Sequence, residues 1–104
     1  MPKRRYEILL PRMHNDGRPV SQEKFYQTRD ELVAQFGAVS LSPHFVLGVW
    51  THEGQRYEDE SMKLVVDVED LPEHREFFHD LKLALRERFE QIEIYVVSYA
   101  VDVI

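Results

Sequence analysis

The side chains best suited to chemistry fall in three places along the chain. The run PRMHNDGRPV over residues 11–20 carries His14, Asn15, Asp16 and Arg18. A histidine with a carboxylate nearby has the makings of a general base and its orienting partner, and Arg18 has the fork geometry to hold an anionic ligand. The same residues also spell an Asx-type turn around Asn15-Asp16-Gly17, a purely structural use. The second group is His44 and Lys63, which the strand pattern puts on one sheet face with Glu7 and Asp67. Ionisable groups covered by an apolar surround become candidate site residues, whereas a Glu7–Lys63 ion pair across neighbouring strands accounts for them structurally. The third group is aromatic: Trp50, Tyr57 and Tyr95 fall on that same face and would line a cavity with His44 and Lys63, closed by the His14 loop. The ligand-binding set predicted from sequence is therefore His14, Arg18, His44, Trp50, Tyr57, Lys63 and Tyr95.

Other patterns lose force on inspection. Glu76 and His79 form one Glu-x-x-His step, but carboxylate-bridged metal sites need two such steps and further carboxylates. Glu58, Asp59 and Glu60 lie near His52 and Glu53, yet strand alternation sends Asp59 to the face opposite Glu58 and Glu60, so three ligands do not converge. No metal site and no cofactor is predicted. The sequence has no G-x-G-x-x-G, Walker A, H-E-x-x-H or G-x-S-x-G pattern, and with no cysteine it has no thiol nucleophile or thiolate metal site. A cysteine-free chain fits a reducing cytoplasm. The formal charge of −6, from 13 basic and 19 acidic residues, opposes phosphate-backbone binding, so nucleic acid is not an expected partner. The one basic run, Lys3-Arg4-Arg5, reads as a solvated leader. The apolar cluster after it is too short for a signal-peptide core or a membrane span.

These residues must be positioned by a single domain, 1–104, whose 43% hydrophobic content supports a small core. Tyr6, Ile8 and Leu10 alternate in a first strand over 5–10 that Pro11 stops. Ser21 is placed to cap a helix over 22–36, with Phe25, Leu32, Val33 and Phe36 on its stripe and Gly37 at its end. A long hairpin over 38–68 turns at Glu53-Gly54. Pairing outward from that turn sets Val39 opposite Val68, Leu41 opposite Val66, Pro43 opposite Leu64 and Phe45 opposite Met62, an apolar face on both arms. The other face pairs Ser40 with Asp67, Ser42 with Val65, His44 with Lys63, Val46 with Ser61, Gly48 with Asp59 and Trp50 with Tyr57. Asp70 and Glu73 bracket Pro72 as a capping-box start for a second helix running to about Glu90. A last strand is predicted over 92–104.

The order β-α-β-β-α-β predicts an α+β, ferredoxin-like domain: a four-stranded antiparallel sheet in order 4-1-3-2 with two helices on one face. Its expected core is Tyr6, Ile8, Leu10, Val39, Leu41, Phe45, Met62, Leu64, Val66, Ile94 and Val96. In this order the chain resembles the ferredoxin-like group, including the dimeric α+β barrel proteins. In its ILLP, NDGRPV, RYEDE and ERFEQIEIY runs it is similar to small bacterial proteins, a likeness that transfers no functional residue. Each hairpin arm of about 14 residues would reach roughly 46 Å, against about 22 Å for a 15-residue helix. The tip must therefore overhang or bend, with Pro43 and Gly48 as natural bend points. Val46, Leu47, Val49, Trp50 and Tyr57 at that tip, and Leu9, Val65, Tyr95 and Val97 on the open face, call for a cover. The barrel resemblance implies a homodimer through the open sheet face and hairpin tip. Two readings follow: an interaction or regulatory protein with a solid interface, or an enzyme or small-molecule binder with a cavity between the copies.

Overall fold

The computed structural model describes residues 2–42 and 45–104. Its elements are β1 (Lys3–Pro11), α1 (Gln22–Phe36), β2 (Ser40–Leu41), β3 (Val46–His52), β4 (Gln55–Glu69), α2 (Pro72–Arg88) and β5 (Val96–Val101). The sheet has five strands, not four, in the order β2-β4-β1-β5 with β3 also on β4. The difference comes from the first hairpin arm, which is broken. Near the turn the register is the one expected, with Val46 opposite Ser61, Gly48 opposite Asp59 and Trp50 opposite Tyr57. Beyond the break Ser40 faces Val65 and Leu41 faces Leu64, not Asp67 and Val66. Between the pairs Leu41–Leu64 and Val46–Ser61 the chain has four residues on the first arm and two on β4, a two-residue excess on one arm. A shift of two keeps every side chain on its own face, which is why the alternation survives it. Ser42 N–H still donates to the Lys63 carbonyl at 2.9 Å. Pro43 and His44, and the pairs predicted for them, lie outside the described residues.

Tyr6, Ile8 and Leu10 of β1, with Leu64, Val66 and Val68 of β4, turn to one face and are buried against Leu32 of α1, Phe78, Leu81 and Leu85 of α2, and Phe89 just after it. Tyr6 stacks on Phe78 with ring centroids 3.8 Å apart. Val39, Met62 and Val96 pack on this core half-buried. Leu41 and Phe45, expected inside, are exposed, because they flank the break at the sheet edge. Arg88 ties the helices together, donating to Thr28 Oγ1 at 2.8 Å and to Glu31 at 2.7 Å.

Local ends also differ from expectation. Ser21 is the residue before α1 but makes no side-chain cap bond, while Gly37 ends the helix at φ 84 as predicted. The residue before α2 is Leu71, not Asp70, because the Asp70 carboxylate is taken by Arg4 at 3.1 Å. The Lys3-Arg4-Arg5 run is part of β1, not a solvated leader, and Arg5 pairs with Asp67 at 2.7 Å. The last strand is shorter than 92–104, since residues 89–95 form a connection and 102–104 lie beyond β5. No described helix is long and apolar enough to cross a membrane.

The open face is organised by charge. Glu7 holds the Lys63 ammonium on one side and accepts from the Tyr99 hydroxyl on the other. The bond from Lys63, then that from Tyr99, keeps the Glu7 carboxyl below its ordinary 4.5 despite partial burial. The bond from Arg5 likewise keeps Asp67 below 3.8. Because both carboxyls titrate lower when folded than unfolded, their contribution is complete above the ordinary values and is lost as pH falls through the depressed ones. Melting temperature is therefore expected to decline below about pH 4.5, with part of that slope absent in Glu7→Gln. Thermal melts across an acid pH series check this.

Candidate ligand cleft beside the hairpin

The sheet's pleat sends odd-numbered residues of β1 and β4, and even-numbered residues of β3, to the open face. Where β3 overhangs the helices, that face curls against the α2–β5 connection and encloses a cleft of about 380 Å³. Leu9 and Pro11 of β1 and Ile94 and Tyr95 of the connection make its apolar floor and one wall. Gly48, Val49 and Trp50 of β3 make the other. Polar atoms enter at Asp59, Ser61, Gln91 and Glu93. The volume lies within the usual range for a small-molecule site, and the composition, mostly apolar with a few polar groups, is the usual one.

The indole of Trp50 is held from two sides. It stacks on Tyr57 with centroids 4.5 Å apart and planes 19° apart, and its Nε1–H donates to Asp59 Oδ2 at 2.7 Å. Across the cleft the Tyr95 carbonyl accepts from Leu9 N–H at 3.0 Å, which fixes the backbone while its ring stays largely exposed. Glu93 Oε1 accepts from Ile94 N–H at 3.0 Å and Lys82 Nζ lies 3.1 Å away. Burial alone would raise the Glu93 carboxyl, but the bonds from Lys82 and Ile94 outweigh it and hold the group ionised below its ordinary range. The cleft thus presents carboxylates and aromatic rings, and none of its lining residues is Lys or Arg.

Of the residues predicted from sequence, Trp50 and Tyr95 line this cleft and Tyr57 supports it from behind. Lys63 is the register partner of Leu9 but is committed to Glu7. His44 lies outside the described residues. His14 and Arg18 do not line this cleft: His14 lies with Tyr57 and Asp59 around a second cleft of about 470 Å³, its ring at the C-terminal end of α2. There His14 is buried with Nδ1 3.3 Å from the Phe89 carbonyl and 3.4 Å from Glu90 Oε2. Asp16 does not orient His14; it accepts from Arg18 N–H at 3.0 Å and from Arg18 Nε at 2.6 Å, the Asx-turn use of the loop. Glu90 occupies a left-handed position, φ 53, and also faces Arg18 and Lys24. These contacts fasten the loop to α2. No group of three metal-ligating side chains occurs among the described residues.

Sequence reasoning placed Leu9 on the open face but left it out of the ligand set, and it left out Gly48, Asp59, Gln91 and Glu93, which also line the cleft. For Asp59 a signal was present, since the predicted register already set it on the face of Trp50. For Glu93 there was one as well, since alternation in the predicted last strand set it on the side of Tyr95; for Gln91, between the predicted helix and strand, there was none.

No family model matches this chain, and no curated protein is matched by it. Solved structures are similar in fold. A phage SAM lyase in complex with S-methyl-5′-thioadenosine aligns with TM-score 0.68 and 18% identity over 97% of this chain and 90% of that one. CutA1 from Oryza sativa aligns with TM-score 0.60 and 14% identity over 99% and 83%. The divalent cation tolerance protein CutA1 from Thermus thermophilus gives TM-score 0.60 and 16% identity over 97% and 84%. The small α+β ferredoxin-like fold is shared with them.

Proposed function

We propose that this protein binds a small molecule in the cleft between the hairpin and the α2–β5 connection, and that it does so in the cytoplasm as a homodimer. The ligand class we propose is an uncharged or cationic molecule with an aromatic ring, of the nucleoside type. The observation that carries this is the lining itself. Trp50 and Tyr95 offer ring faces, Asp59 and Glu93 accept from hydroxyl or amino donors, and no lining cation would hold a phosphate ester. The S-methyl-5′-thioadenosine bound to the phage protein of similar fold is an uncharged nucleoside thioether, which agrees with that class.

Trp50 is the only tryptophan, so its fluorescence reports on the cleft directly. Adenosine and S-methyl-5′-thioadenosine are expected to change its emission saturably, with AMP at least ~10-fold weaker, a difference of about 1.4 kcal/mol. Asp59→Asn should weaken the nucleosides and relieve the discrimination against AMP. Emission unchanged up to millimolar nucleoside would overturn the reading.

A second reading, an interaction or regulatory protein whose hairpin meets a copy of itself, is favoured by the exposed side chains of Phe45, Val46, Leu47 and Val49. The two readings share the homodimer. The ion pairs over the middle of the open face favour the hairpin tip as the place of contact.

A further inference from the structure

We infer that the outer edge of β3 joins two copies of the chain, residues 46–50 of one pairing antiparallel with 46–50 of the other about an axis at Gly48. This rests on the self-association just proposed and adds its location and register. Glu53 and Gly54 both have positive φ, 50 and 77, the type I′ signature of a two-residue hairpin. Such a turn closes on a hydrogen-bonded pair, here His52 and Gln55, and the pairs then alternate. Leu47, Val49 and Thr51 therefore direct their backbone N–H and C=O groups away from β4, to the free edge.

A bare edge is ordinarily guarded by charge or proline. Residues 46–52, VLGVWTH, contain no Lys, Arg, Asp, Glu or Pro. Pairing about Gly48 sets Leu47 against Val49 on one face and Val46 against Trp50 on the other, apolar against apolar at each step. A chain of net charge −6 meets itself here without opposing like charges. Leu47 is 66% and Val49 54% exposed, because β3 overhangs the helices. Val46, 40% exposed, and Phe45, 43% exposed with the Arg12 guanidinium over its ring, extend the apolar strip, the kind of surface two copies cover between them in reaching the ~1,000 Å² of a specific interface. The other edge strand, β5, is half-buried over most of its length. In the proposed pair Trp50 of one copy lies beside Val46 of the other on the cleft face, so each copy adds to its partner's site.

The cysteine-free background permits a position-specific test. Gly48 would face its own copy as a non-hydrogen-bonded pair, with Cα atoms about 4.5 Å apart, inside disulfide range. Gly48→Cys is expected to form a covalent dimer on mild oxidation, while Leu83→Cys, exposed on α2, is not. By light scattering the unmodified chain of 12.4 kDa should run at twice that mass. Val49→Pro, which removes an outward N–H without touching the β4 ladder, should run as a folded monomer. If Val49→Pro loses its fold, Leu47→Lys carries the same expectation. Dimers that persist in both variants, with no Gly48→Cys cross-link, would overturn the location while leaving self-association standing. A monomeric unmodified chain at high concentration would overturn both, and leave the cleft to its own titration.

Discussion

Phe89→Ala is expected to cost about 3–5 kcal/mol of unfolding free energy and roughly 15 °C or more of melting temperature for a domain of this size. Phe89 is fully buried, and its ring meets Phe25 edge to face at 5.2 Å, linking the end of α2 to α1. Its loss leaves a cavity at the one point where both helices and the connection to β5 converge. The backbone carbonyl of residue 89, which alanine keeps, receives both Gln91 Nε2 at 3.1 Å and His14 Nδ1, so a backbone shift on loss of the ring would reach the His14 loop as well. Circular-dichroism melts check the figure. A loss below about 1 kcal/mol would mean that this junction is not packed as described.

Gly48→Val carries the largest expected effect on function, and its sign differs between two readouts. Gly48 has no positive φ, and a Cβ there would meet only the Asp59 carbonyl, at 3.9 Å. Nothing within the chain demands glycine, which in a strand interior costs about 0.5–1 kcal/mol. The space a side chain would fill is the cleft. Valine is therefore expected to hold or raise the melting temperature while weakening nucleoside binding at least ~10-fold. Binding unchanged alongside raised stability would place the ligand elsewhere. A fall in both would mean that the strand itself needs glycine.

The sequence carried the two helices and the antiparallel α+β class, though not the number or order of strands, because its strongest signals are periodic. The alternation of Tyr6, Ile8 and Leu10, the helical stripes through Leu32 and Leu85, and the Glu53-Gly54 turn each point to one element. The register near the turn followed from counting outward. It failed beyond the break, since inserting two residues leaves the apolar alternation intact and pattern alone cannot register it. That insertion turned a four-strand expectation into five strands and left Leu41 and Phe45 outside the core. The site was legible in its aromatic half, Trp50 and Tyr95, because both belong to patterned stretches. Its polar half depends on where residues 90–95 leave helix geometry. Glu90 marks that point by taking a left-handed position that glycine or asparagine usually fills, so composition gave no warning. The His14 loop shows the reverse case: residues that looked chemical are used to fasten a loop, through an Asx turn and contacts to α2.

The measurement that tests the cleft most directly is the single indole N–H resonance of Trp50 in a proton–nitrogen correlation spectrum. On adding S-methyl-5′-thioadenosine it is expected to shift saturably, together with the amides of Gly48, Ile94 and Tyr95, while the Gly17 amide in the His14 loop stays in place. An indole resonance that does not move, or shifts confined to the 11–20 loop, would contradict the account.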